Sequence, residues 1–175
     1  MDQVNGDKIL VVEGETTARR HLRDYLTKVG YCVDDVARVE QAVGLLRSRR
    51  YDAVVLDTAG DQTDERLQEI LTVSQGTPVI VMSGEPSLKS IIASLRHGAF
   101  DYLTKPCKLR ALEALLLRVA EKRALSHKYR SLKQRLKDMF HGAQKALREY
   151  DISHIVLNGN NAHRYFDIEL GHDAN

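Results

Sequence analysis

The sequence predicts a doubly wound α/β domain built on a parallel sheet, and three observations carry that prediction. Ile9–Val12 and Ala53–Leu56 are wholly apolar runs, the composition of strands buried on both faces. Segments with apolar residues at helical spacing alternate with strand signals along residues 8–118. Finally, the strand signals stop at single polar groups: Glu13, Asp57, Ser83 and Lys105. In open α/β sheets the carboxyl ends of the strands face the ligand, so these four residues are the first candidates for chemistry.

Taken in order, Lys8–Val12 is the first strand. Ala18, Leu22, Tyr25, Leu26 and Val29 recur at helical spacing after it, and Gly30 closes that helix. A short strand over residues 31–36 precedes a helix with Val39, Ala42, Val43 and Leu46 on one face. Asp34 and Asp35 are adjacent strand residues and point to opposite faces, so they read as a solvated strand end and not a metal site. The Asp57 strand leads into a loop over residues 58–65, then a helix carrying Leu67, Ile70 and Leu71. Residues 77–82 form the next buried strand, followed by a helix with Leu88, Ile91, Ile92 and Leu95. A last short strand, about residues 100–104, ends at Lys105-Pro106, and a fifth helix starts near Leu109.

The chain of 175 residues carries a net charge of +2 that is unevenly spread. Residues 119–150 hold 9 Lys and Arg against 3 Asp and Glu, whereas residues 1–118 hold 16 against 17. No apolar run approaches the ~20 residues that span a bilayer, and the first residues lack a signal-peptide pattern. Cys32 and Cys107 offer neither a disulfide framework nor a zinc motif. A cytoplasmic protein is the expectation.

Together, the four strand-end groups suit one task. A carboxylate accepts a phosphoryl group as nucleophile. A hydroxyl and an ammonium then bind the new phosphate oxygens, and acids beside the first strand hold the divalent cation that offsets the charge.

The motifs VVLD at residues 54–57, VMSGE at 81–85 and GAFDYLTKP at 98–106 are those of a known family. Residues 7–122 resemble the receiver domain of two-component response regulators, and the wording of the last motif is closest to receivers of enhancer-binding activators. The resemblance implies a flavodoxin-like fold, a five-stranded parallel sheet of order 2-1-3-4-5. It implies that Asp57 is the phospho-acceptor, Ser83 and Tyr102 the switch pair, and Lys105 the ammonium on the phosphate. It also implies Mg²⁺, held by Asp57, Glu13 and the backbone carbonyl of Ala59, with Glu15 helping through water. The chain departs from the family at Gly14, which stands where a second aspartate normally ligates the ion, and at Asp61, where proline is usual.

The fifth helix is expected to run well past the receiver. A new apolar seam starts at Leu125 and continues through Tyr129, Leu132, Leu136, Met139, Ala143, Ala146 and Tyr150 in alternating steps of four and three, a heptad pattern. A helix from about 108 to about 150 is roughly 60 Å long. The domain plan is therefore a receiver over 1–122, a basic heptad-patterned helix over 119–150, and a short tail over 151–175. The seam needs a partner, and a second copy is the expectation. In a parallel pair, Lys128 faces Lys133, and Phe140 and Leu147 widen the stripe. Parallel or antiparallel pairing stays open. Nucleic acid is not the expected partner, because a solvated basic face explains the charge more simply and no helix-turn-helix pattern follows.

The function expected is signalling and not substrate turnover. A response regulator without a DNA-binding output domain takes a phosphoryl group onto Asp57 from a histidine kinase or phosphotransfer protein. It then contacts a downstream protein through helix 4, strand 5, helix 5 and the helical extension. The alternative is a phosphorylation-independent pseudo-receiver that acts as a dimeric adaptor or scaffold.

Overall fold

The computed structural model of the protein describes residues 6–58, 63–85 and 87–149. Among these, five strands and five helices alternate: β1 (Lys8–Val12), α1 (Thr16–Lys28), β2 (Cys32–Val36), α2 (Val39–Ser48), β3 (Ala53–Asp57), α3 (Thr63–Val73), β4 (Val79–Ser83), α4 (Leu88–His97), β5 (Asp101–Thr104) and α5 (Leu109–Glu149). The strands form one sheet in the order β2-β1-β3-β4-β5, every neighbour parallel. This is the expected flavodoxin-like doubly wound sheet with a long C-terminal helix.

Side-chain alternation along the strands sorts the core into two layers. On one face Leu10, Val12, Val54, Leu56, Val79 and Val81 pack with Val39, Ala42, Val43 and Leu46 of α2 and with Leu67 and Ile70 of α3. On the other, Ile9, Val11, Ala53, Val55, Ile80 and Met82 pack with Leu22 and Leu26 of α1 and with Leu112, Leu115, Leu116 and Val119 of α5. Each fully buried aliphatic side chain contributes about 1.5–3 kcal/mol. Leu112 is 0% exposed, so Leu112→Ala would open a cavity under α5 at a cost of about 2–5 kcal/mol.

Helix ends follow local chemistry. Gly98 closes α4 in the left-handed region at φ 108°, which a side chain would resist. At the other end of α4, the Ser87 hydroxyl accepts from the Ser90 backbone N–H at 3.0 Å.

Three boundaries differ from the sequence expectation. β4 starts at Val79, because Thr77 turns its N–H to the Ser74 carbonyl and Pro78 has none to give. It extends through Ser83, since the Lys105 N–H donates to the Ser83 carbonyl at 2.8 Å. α3 begins at Thr63, inside the stretch read as loop. Asp34 and Asp35 do face opposite ways. Asp34 accepts from the Tyr51 hydroxyl at 2.6 Å and pairs with Arg49, while Asp35 pairs with Arg19 and Arg23.

The chain divides into a compact unit over residues 1–126 and a second unit from residue 127. In the first, Arg123 of α5 pairs with Asp52 and Asp7. The second is described only as the remainder of α5, whose seam residues Tyr129, Leu132, Leu136 and Met139 are solvent-exposed. The expected tail over 151–175 lies outside the described residues. No described helix is long and apolar enough to cross a membrane.

Candidate functional site

β1 delivers Glu13 to the carboxyl edge of the sheet. Its N–H continues the ladder by donating to the Val36 carbonyl at 3.0 Å, and its carboxylate is 2% exposed. A buried carboxylate needs partners. Glu13 Oε1 accepts from the Glu15 N–H at 2.9 Å and Oε2 lies 2.5 Å from Lys105 Nζ. Arg19, one turn into α1, donates to the Glu13 carbonyl at 2.8 Å and to the Gly14 carbonyl at 3.3 Å, which pins the turn between β1 and α1.

Glu15 takes a different post. Its two carboxylate oxygens accept from the N–H groups of Thr17 at 2.8 Å and Ala18 at 2.9 Å, so it is the N-cap of α1. Those backbone hydrogen bonds hold its carboxyl below the usual range.

Asp57 ends β3, with Met82 of β4 as its register partner. Lys105 Nζ lies 2.6 Å from Asp57 Oδ1, so one ammonium bridges two carboxylates. Burial is the largest effect on Asp57 and raises its carboxyl above the ordinary value. Lys105 opposes this, and the Glu13 carboxylate reinforces it. Burial also works against the Lys105 charge, but the hydrogen bonds it donates to Asp57 and Glu13 outweigh it and raise the ammonium. Asp57 is not closed off. It lines a cleft of about 570 Å³ with Glu13, Gly14, Arg38, Glu65 and Arg66.

The strand-end groups fall into two sets. Glu13, Asp57 and Lys105 share the alternation of Val11, Val55 and Leu103, on the face covered by α1 and α5. Ser83 and Tyr102 share the other alternation. Tyr102 pairs in register with Val81 and packs against the α2–α3 layer, and Ser83 is two residues beyond Val81. The Ser83 side chain is buried and accepts from the Glu85 N–H at 3.3 Å. The Tyr102 hydroxyl is buried with no hydrogen-bond partner among the described residues. The peptide bond between Lys105 and Pro106 is cis. Ala59 and Asp61, named from the sequence, lie outside the described residues.

Sequence reasoning missed two supports. Arg19 falls among the polar positions of the helical pattern, where a charged residue carries no signal of its own. Thr58, 0% exposed, donates its N–H at 2.8 Å and its hydroxyl at 3.2 Å to the Met82 carbonyl, tying the residue after Asp57 to β4.

The donor set suits a hard divalent cation. Mg²⁺ takes one or two carboxylates and keeps several waters, and Glu13 and Asp57 are two carboxylates whose mutual repulsion already raises Asp57. Gly14 adds no side-chain oxygen to them.

A five-stranded 2-1-3-4-5 sheet with a strand-end aspartate bridged by a strand-end lysine is the architecture of a receiver domain. The family model for the response regulator receiver domain matches residues 9–117, and the chain belongs to that family, the receiver class of two-component systems. Transcriptional regulatory protein ResD of Bacillus subtilis is 32% identical over 127 residues, covering 69% of this chain and 52% of its own length. Transcriptional regulatory protein TcrA of Mycobacterium tuberculosis is 39% identical over 116 residues, 65% of this chain and 46% of its own. The chain thus spans about half the length of these curated relatives. The receiver domain of sensor histidine kinase PA1611 from Pseudomonas aeruginosa, solved with magnesium coordinated in its active site cleft, superposes with a TM-score of 0.57. It is 29% identical and covers 65% of this chain and 96% of its own.

Proposed function

We propose that this receiver accepts a phosphoryl group on Asp57 from a histidine kinase or phosphotransfer protein and passes the signal to a downstream protein. The observation that carries this reading is the Lys105 ammonium 2.6 Å from Asp57 Oδ1, with Asp57 itself lining a cleft that has room for a ligand. An Asp57 oxygen bonds to phosphorus as the donor's P–N bond breaks, and the electron pair stays with the leaving imidazole, which takes a proton. Lys105 offsets the negative charge gathered on the phosphoryl oxygens. Mg²⁺, when bound by Glu13, Asp57 and the Ala59 carbonyl, supplies the remaining positive charge. The Ser83 hydroxyl then turns to the phosphoryl group, and Tyr102, on the same face of the sheet, follows it. The surface formed by α4, β5 and α5 changes accordingly. A second copy of the chain pairs through residues 119–150.

The test is incubation with a small-molecule phosphodonor and Mg²⁺, read by intact mass. The reading requires a gain of one phosphoryl group that is absent in Asp57→Asn. No gain in the unaltered chain would end it.

Gly14 supports a second reading, a phosphorylation-independent adaptor in which the Glu13–Lys105–Asp57 bridge is a permanent structural link. That reading expects unchanged partner affinity in Asp57→Asn and loss of affinity when residues 127–149 are deleted.

A further inference from the structure

The described part of α5 from residue 125 onward carries an apolar seam that is largely solvent-exposed. Leu125 is 69% exposed, Tyr129 67%, Met139 65% and Phe140 69%. Helical residues this apolar and this exposed need a cover. The seam is flanked by Lys128, Lys133 and Arg135, and these charges select the arrangement.

In the heptad, Leu125, Leu132 and Met139 occupy d, while Tyr129, Leu136 and Ala143 occupy a. Lys128, Arg135 and Gly142 are then g, and Lys133 and Phe140 are e. A parallel pair sets g of one helix against the next e of the other. It places Lys128 against Lys133 twice, and like charges so placed repel. An antiparallel pair sets g against g and e against e, with a facing d. Two registers use most of the seam. If Leu132 faces Leu136 of the second copy, then Lys133 meets Lys133 and Arg135 meets Arg135. If instead Leu132 faces Ala143 and Leu136 faces Met139, both clashes vanish. Arg135 then lies opposite Gly142, and Lys133 lies beside Phe140, whose ring face accepts a cation.

We propose that residues 132–143 form an antiparallel two-stranded coiled coil with a second copy of this chain, in the register that sets Leu132 against Ala143 and Leu136 against Met139. The proposal rests on the second copy included in the functional reading above, and it adds direction and register.

The test uses the full chain with Cys32→Ser and Cys107→Ser, in a thiol–disulfide redox buffer. Two single variants are made, Leu132→Cys and Ala143→Cys, both at exposed helical positions. A disulfide needs Cα atoms within about 7 Å. In the proposed register each cysteine lies ~16 Å along the axis from its own copy, at 1.5 Å per residue. Each variant alone should therefore stay uncrosslinked, and an equimolar mixture should yield the mixed disulfide dimer. Self-crosslinking of either variant alone would establish the parallel pair and overturn the proposal. So would a mixture that stays uncrosslinked although sedimentation shows a dimer. A chain that sediments as a monomer at all concentrations would remove both the proposal and the dimer, while leaving the phosphoryl reading of Asp57 to its own mass assay.

Discussion

Glu13 and Asp57, at the ends of neighbouring strands, share one counter-charge: Lys105 Nζ is 2.5 Å from the first and 2.6 Å from the second. Two carboxylates against one ammonium leave the site with a net negative charge in a poorly solvated place. Burial first, and then the neighbouring Glu13 carboxylate, disfavours the ionised form of Asp57 and raises its carboxyl, although Lys105 opposes them.

Asp57→Asn should stabilise the metal-free protein at neutral pH. A group whose folded value is raised contributes stability that is present below its unfolded value and lost as pH rises through the folded value. Asp57 ionisation thus weakens the fold at pH 7, and asparagine avoids it while Glu13 keeps Lys105. The expected gain is about 1 kcal/mol, seen as a higher urea midpoint in the presence of a chelator. The gap between the two proteins should close as pH falls toward the ordinary aspartate value of 3.8. A midpoint that drops on substitution would mean that the Lys105 pair outweighs burial.

Lys105→Met should do the reverse, since it leaves two carboxylates facing each other without a cation. Breaking a buried pair costs about 3–5 kcal/mol. Lys105 is 26% exposed, so water softens the loss to about 1–3 kcal/mol. Adding Glu13→Gln to Lys105→Met should recover part of it, and a double-mutant cycle in urea measures the coupling. Additive effects would show that the bridge carries no energy.

At high pH part of the decline in stability should trace to two tyrosines. Burial, then the hydrogen bond to Asp34, raises Tyr51 to about 12, and burial followed by Glu113 raises Tyr31 to about 12. Both are neutral in the fold and ionise near 10 when unfolded. Stability should hold below pH 10 and fall as pH rises toward 12. Tyr51→Phe should flatten that fall and cost about 1 kcal/mol at neutral pH through the lost bond to Asp34. Thermal unfolding across the pH range separates the two effects.

The sheet was legible because its strands are buried on both faces, so composition alone marks them. The strand ends were legible because an isolated Asp57 or Lys105 after such a run has no packing role. What stayed hidden depends on side-chain direction. Glu15 reads as a spare ligand in a list of acids, yet it follows β1 by three residues and opens a helix, whose first-turn N–H groups of Thr17 and Ala18 have no helical partner and claim its carboxylate. The sharing of Lys105 by Glu13 and Asp57 was equally out of reach, since it is fixed by three strands separated by tens of residues. The seam beyond Leu125 was readable at once, because heptad spacing is a property of one helix.

Gly14→Asp tests how much of the site's metal chemistry was given up. Among the described residues the position has room for a side chain: Gly14 does not need a left-handed backbone, and a Cβ there would meet the Ala37 carbonyl oxygen at 3.8 Å, an ordinary contact. The new carboxylate would join Glu13 and Asp57 at the same cleft. Without metal, a third negative charge beside one ammonium should destabilise the fold by about 1 kcal/mol. With Mg²⁺ the sign should change, because added ligand charge tightens a hard-cation site. Affinity should rise on the order of tenfold, equivalent to about 1.4 kcal/mol, and calorimetric titration reads it directly. Phosphorylation from a small donor should then saturate at lower Mg²⁺. If the variant binds Mg²⁺ no better than the parent, Glu13 and Asp57 do not form the two-carboxylate pocket that the proposed function requires.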